Sequence, residues 1–269
     1  MVQIKKVKFN LKIMNNEIFN PEHLMMDADL SKCNLPLNVA KGNMYEFVTH
    51  TWNPVKGICP HQCKYCYMRN LLREEYKCKP ILVEREFQRN LNNAKVVFVG
   101  SSIDLFAKEI PLGWIMKVLD YCAAFNMNKP EKGHIVYIFQ SKNPAGILPY
   151  IGHPVFKHAV VATTLETNRF LPDIMGNSPK MEDRVAAMAK ISEMGIYTMV
   201  TAEPLMDFDK DEFVDMIRQC NPRFVNIGRN STRNIELPEP TPEKVKDLVT
   251  TLREFTRVKI KSNADIWVR

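Results

Sequence analysis

Thr51-Trp-Asn-Pro-Val-Lys-Gly-Ile-Cys59-Pro-His-Gln-Cys63-Lys-Tyr-Cys66-Tyr67 is the stretch on which the reading of this chain turns. It spaces its three cysteines as Cys-x3-Cys-x2-Cys. An apolar run of strand character (45–51) precedes it, and a helical pattern (66–76) begins at its last cysteine. Thiolates are soft donors that suit zinc or iron–sulfur clusters. A cubane cluster usually takes four thiolates. Three would leave one iron open to bind something else. The other reading is a structural Cys3His zinc site completed by His61, with Cys78 as a second candidate for the fourth position.

Working outward, strand-length apolar runs alternate with helical patterns. Runs at 45–51, 96–99, 135–139, 159–163, 197–201 and 224–227 predict six strands. Their continuous hydrophobicity suits a parallel sheet covered by helices. The intervening helices are expected at 66–76, 114–125, 143–151, 182–194, 211–220 and 243–255, the last starting at Thr241-Pro242. Six β/α units suit an incomplete (β/α)6 barrel or an open α/β sheet better than a full eight-unit barrel. The division expected is an N-terminal extension (1–43), a β/α core (44–240), and a C-terminal helix with a basic tail (241–269).

Composition sets outer bounds. At 269 residues, with 45% hydrophobic and 25% charged side chains, the chain is an ordinary globular sequence. No apolar stretch approaches the ~18 residues of a membrane helix. The N-terminus lacks the long apolar core of a secretion signal, so a cytoplasmic location without membrane association is expected. Seven cysteines, three of them clustered, point to metal rather than disulfides. The net charge of +7 permits a polyanionic partner without requiring one.

With Tyr65 just before the third cysteine, the motif resembles the signature of the radical S-adenosylmethionine (SAM) superfamily. The loop position after the first strand and the six β/α units match as well. The form Gly100-Ser101-Ser102-Ile-Asp104-Leu-Phe, the Thr-Trp-Asn-Pro-Val lead-in, Thr164-Leu-Glu166 and Ala202-Glu203-Pro204-Leu205 resemble spore photoproduct lyase-like and phage-associated radical SAM proteins. The resemblance implies a fold of the partial-barrel type. It implies that Cys59, Cys63 and Cys66 hold a [4Fe–4S] cluster whose open iron chelates SAM. One electron, from an external donor such as flavodoxin or ferredoxin, would then cleave SAM to methionine and a 5′-deoxyadenosyl radical. The protein's part is to bind, orient and shield.

The polar residues that follow each apolar run are the further candidates, because the carboxyl ends of parallel strands form the working face. Gly100, Ser101 and Ser102 are expected to meet the SAM ammonium. Asp104 is suited to the same group or to the ribose, and Glu166, beside Thr164, to the ribose diol. Lys142 and Arg184 are expected near the SAM carboxylate, and Glu203, after the fifth run, is expected to face the mouth or to pair with another group. Tyr65 is expected to shield the cluster. Arg229 and Arg233 follow the sixth run and are read as contacts to an anionic substrate, either nucleic acid or a carboxylated small molecule. The basic stretch 253–269 is expected to border the same opening. Two further readings of the chain are a zinc-stabilised nucleic-acid-binding module without radical chemistry and a SAM-binding sensor. Proteins resembling spore photoproduct lyase use a cysteine as hydrogen donor, and Cys33, Cys78, Cys122 and Cys220 are not evidently placed for that.

Overall fold

The computed structural model describes residues 30–127, 129–130, 133–232 and 235–268. Most of the expected N-terminal extension, together with Arg233 and Arg269, lies outside these residues.

The main sheet is built from β1 (Asn38–Val39), β2 (His50–Trp52), β3 (Val96–Val99), β4 (Val136–Gln140), β5 (Ala159–Thr164), β6 (Tyr197–Ala202), β7 (Phe224–Ile227) and β8 (Arg257–Ile260). Their order across the sheet is the order along the chain, from β1 at one edge to β8 at the other. Only the β1–β2 pair is antiparallel, and every later neighbour is parallel. The main sheet therefore holds seven parallel strands where the sequence predicts six. The seventh, β8, comes from the stretch expected to be a basic tail. Its Arg-Val-Lys-Ile alternation half-buries Val258 and Ile260 and exposes the charged residues between them.

Six helices lie between these strands among the described residues, and the longer ones share a core with one face of the sheet. The six are α1 (Met68–Leu71), α2 (Leu112–Met127), α3 (Pro172–Met175), α4 (Met181–Glu193), α5 (Lys210–Gln219) and α6 (Pro242–Leu252). Val97, Val99, Tyr137, Phe139, Val161, Val200, Val225 and Ile227 point into the helix-side core. The full burial of Phe213, Ile217, Leu248 and Leu252 joins α5 and α6 to it, each contributing roughly 1.5–3 kcal/mol. The Thr241 side chain caps α6 by accepting from the Lys244 amide at 3.3 Å, with Pro242 in the first turn.

The other face of the sheet has a different cover. Phe98, Ile138, Ala162 and Met199 project there and pack under Tyr45, Val48, Met44 and Phe47. The run at 45–51 thus becomes strand only from His50. Its first half is an irregular segment, in which the Tyr45 and Phe47 rings stack at 5.5 Å and Phe47 meets Phe224 edge-on. The expected helix at 66–76 is reduced to α1 and the short 3-10 turn Glu74–Tyr76. That at 143–151 is a 3-10 segment, Pro144–Tyr150, with Pro149 inside it. Proline has no amide hydrogen to donate, which works against a regular α-helix there.

Candidate functional site

The cysteine loop leaves β2 and lies over the carboxyl ends of the parallel strands. Its grip comes mainly from the segment after β5. The Lys64 amide donates to the Ile174 carbonyl at 2.9 Å, the Asn177 amide to His61 O at 2.7 Å, and Asn177 Nδ2 to Pro60 O at 3.1 Å. Gly176 makes this approach possible. Its φ is +62°, and a Cβ there would sit 2.2 Å from the His61 carbonyl. On the other side, His61 Nε2 pairs with Asp104 Oδ2 at 2.8 Å. Asp104 also accepts from Ser141 Oγ, the Lys142 amide and the Phe106 amide. Burial would raise the Asp104 carboxyl. The His61 contact and these hydrogen bonds outweigh it and hold the group below its usual value.

Cys63 is buried and its thiol donates to Met175 O at 3.3 Å, while Cys59 and Cys66 are half-buried. Burial, and then the nearby Asp104, pushes the Cys59 thiol up to about 12; burial also raises Cys63. Cys66 acts on both thiols, so it lies within electrostatic reach of Cys59 and of Cys63. No three His, Cys, Asp or Glu side chains among the described residues stand together in metal-ligating geometry. The fit to a soft metal group therefore rests on the donor set, three thiols on one loop. A metal would supply the positive charge that makes buried thiolates affordable.

Beneath the loop lies a hydrogen-bonded quartet of three charged groups and the Tyr65 phenol. Glu166 is fully buried. Its Oε2 accepts from Arg184 Nη1 at 2.8 Å, and its Oε1 from both Lys142 Nζ and the Tyr65 hydroxyl. Lys142 Nζ also donates to the Tyr65 oxygen at 2.9 Å. Burial alone would raise the Glu166 carboxyl. Arg184 and Lys142 overcome that and take it from 4.5 to about 2. Burial and the Glu166 charge raise the Tyr65 phenol well above its ordinary value.

Arg184, expected at a ligand carboxylate, is instead enclosed. It donates to Pro179 O, Thr164 O, Ser178 Oγ and Glu166. Glu166 and Asp104 likewise spend their oxygens inside the protein. The Thr164 side chain receives a 3.4 Å contact from Gln140 Nε2.

The Gly100–Ser102 turn is more open. Gly100 has φ +76°, Ser101 Oγ donates to Asn53 Oδ1 at 3.1 Å, and the Ser102 amide donates to the same oxygen at 3.0 Å. The Ser102 hydroxyl is buried and has no hydrogen-bond partner among the described residues. A buried orphan hydroxyl beside the cysteine loop fits a ligand's polar head.

At the β6 end, Glu203 accepts from Asn43 Nδ2 and Lys261 Nζ, each at 2.8 Å. Arg229 pairs with Glu239 through two contacts, the shorter 2.7 Å, and lies over the Trp267 ring. It is therefore charge-compensated within the chain. The sequence reading did not single out Asn43 or Asn53. Asn53 stands inside the Thr-Trp-Asn-Pro-Val lead-in, but an amide's role cannot be read from its type. The basic stretch divides. Lys261 reaches the carboxyl-end mouth, whereas Arg253 and Arg257 sit at the opposite, amino-terminal edge of the sheet.

Neither a family model nor a curated protein matches the sequence. The fold, however, is shared with solved structures. A spore photoproduct lyase double mutant with bound AdoMet and dinucleoside spore photoproduct superposes with a TM-score of 0.58, at 11% identity, over 83% of this chain and 80% of that one. A single mutant of the same enzyme gives 0.58 at 12% identity over the same shares. Streptococcus suis SuiB bound to S-adenosylmethionine gives 0.49 at 9% identity, over 87% of this chain and 53% of that one. The resemblance drawn from the cysteine spacing thus has a counterpart in the fold, which is similar to that of spore photoproduct lyase.

Proposed function

We propose that this chain is a radical SAM enzyme. In this reading, Cys59, Cys63 and Cys66 hold a [4Fe–4S] cluster, and SAM binds between the cysteine loop and the strand ends. One observation carries the reading: the Cys-x3-Cys-x2-Cys loop follows the first parallel strand of a fold shared with spore photoproduct lyase. A chain-ordered sheet whose longer helices share a core with one of its faces supports the incomplete-barrel form of that fold. When bound, cluster and SAM together supply reductive cleavage to a 5′-deoxyadenosyl radical, with the electron drawn from an external donor such as flavodoxin or ferredoxin.

The chain's own residues bind, orient and exclude water. The Gly100–Ser102 turn offers its backbone and the orphan Ser102 hydroxyl to the SAM ammonium. Lys142, anchored on Glu166, keeps a positive charge near Cys63 and the SAM carboxylate. Tyr65 closes the wall behind the loop, and its carbonyl is fixed by the Thr232 hydroxyl at 2.6 Å. Asp104, Glu166 and Arg184 act as positioning residues that hold these groups. Glu203 stands at the mouth, where the substrate would enter, and the substrate reading remains an anionic group.

Anaerobic purification tests the proposal. A brown protein containing iron and acid-labile sulfide, losing both when any of Cys59, Cys63 or Cys66 becomes Ala, is the expected result. A colourless protein with one tightly held zinc would overturn it in favour of a zinc-stabilised module.

A further inference from the structure

Two groups of arginines differ in how their charge is met. At the carboxyl ends of the strands three are paired with carboxylates: Arg169 with Asp207 and Asp209, Arg184 with Glu166, Arg229 with Glu239. At the amino-terminal edge of β6–β8 the pattern reverses. Arg218, Arg223, Arg253 and Arg257 are exposed, and none has a carboxylate partner among the described residues. Three of them, Arg223, Arg253 and Arg257, line a cavity of about 660 Å³ together with Tyr197 and Phe255, and no Asp or Glu lines it.

The cavity is built on a fixed frame. Thr198 Oγ1 donates to the carbonyls of Cys220 and Asn221, at 2.8 and 2.9 Å, and Thr256 Oγ1 donates to Pro222 O at 2.7 Å. Asn221 takes φ +46° and ties its side chain to Ser192 Oγ at 2.9 Å. Two guanidiniums are stacked on rings, Arg223 over Tyr197 and Arg218 over Phe255, each 4.2 Å from the ring centroid. The ends of α4, α5 and α6 also face this edge, which favours basic side chains in their last turns. That accounts for Arg218, but not for Arg223 and Arg257, which stand at the starts of strands.

We propose that this cavity is a second binding site, distinct from the cysteine loop, for the phosphodiester backbone of single-stranded nucleic acid. Fork-shaped guanidinium donors match phosphate oxygens bidentately. A half-exposed Tyr197, already carrying an arginine on its ring, offers a flat surface for a base. An anionic ligand would neutralise charge that the chain itself leaves uncompensated. The inference does not depend on the radical SAM reading, because no cysteine of the loop lines the cavity.

The test is fluorescence anisotropy with a labelled single-stranded oligonucleotide at several salt concentrations. It compares the full-length protein, Arg223→Glu/Arg257→Glu, Tyr197→Ala, and the control Arg85→Glu/Lys108→Glu, which changes net charge equally elsewhere. Wild type is expected to bind with strong salt dependence. The cavity double variant should lose at least tenfold in affinity, with the salt slope shallower by about 1.4 for two lost phosphate contacts on a single strand. Tyr197→Ala should lose affinity without a change of slope, and the control should stay within about threefold. Inorganic phosphate in the millimolar range is the small-ligand arm. If phosphate binds and the oligonucleotide does not, the nucleic-acid assignment is overturned. No salt-dependent oligonucleotide binding, or equal losses in the cavity and control variants, would overturn it as well. All the substituted side chains are exposed, and unchanged thermal unfolding would show that every variant folds.

Discussion

The two ends of the sheet use the same residue types in opposite ways. At the carboxyl ends, Glu166 and Arg184 are buried, Lys142 is half-buried, and the three spend their charge on one another under a loop of three thiols. At the amino ends, Arg223, Arg253 and Arg257 are exposed around a cavity without a carboxylate. Charge turned inward builds geometry, and its removal should be paid for in stability. Charge turned outward is available to a ligand, and its removal should cost little stability. That difference can be attacked by substitution.

The largest effect is expected at Glu166. Glu166→Gln leaves Arg184 and Lys142 facing a neutral amide in a fully buried place. Losing one partner of a buried pair typically costs about 3–5 kcal/mol, measurable as a lowered midpoint in urea unfolding. The wild type should also show an acid-side slope that the variant lacks. The folded Glu166 carboxyl is depressed to about 2 from 4.5. Its contribution is therefore complete above that usual value and is lost as pH falls through the window toward the folded one. Equal acid sensitivity in the two proteins would mean that the quartet is not the inward charge store described.

A second effect should come from a residue with no charge at all. Gly176→Ala places a methyl 2.2 Å from the His61 carbonyl and forces an L residue to positive φ. A cost of about 1–3 kcal/mol is expected, together with poorer iron loading, because the segment that clasps the cysteine loop must move. Normal iron content in a folded variant would detach that segment from the site.

Arg229 lies between the extremes. It is carboxyl-end, paired and about one-third exposed, so Arg229→Ala should cost about 0–1 kcal/mol. The smallest effect is expected at the other edge. Arg223→Ala/Arg257→Ala should change stability by no more than about 0.5 kcal/mol per site. A loss as large as that at Glu166 would show these arginines to be structural and erase the contrast.

How much of this was legible in the sequence depends on the interaction. Continuous apolar runs located five of the parallel strands, because sheet burial writes itself locally, and a sixth only at the last residues of its run. The seventh was hidden, since Arg257–Ile260 alternates charge with only two apolar residues and sits where a tail was expected. The 45–51 run was apolar for a different reason: Tyr45 and Phe47 cover the sheet rather than extend it. The cysteine loop was evident from spacing alone. Arg184 and Glu166 were visible as chemistry but not as partners, because the residues that enclose them come from four separated segments. Polar side chains carry no sign of whether they will face a ligand or each other. That is decided by tertiary packing, as Asn43 and Lys261 on Glu203 illustrate.

The central claim is that the cysteine loop works on SAM. The most direct measurement is release of 5′-deoxyadenosine by the anaerobic, iron-loaded protein given SAM and dithionite, with Cys63→Ala alongside. The account predicts slow release by the wild type even without substrate and none by the variant. Iron-loaded wild type that binds SAM but releases no 5′-deoxyadenosine, or release that survives loss of Cys63, would contradict it.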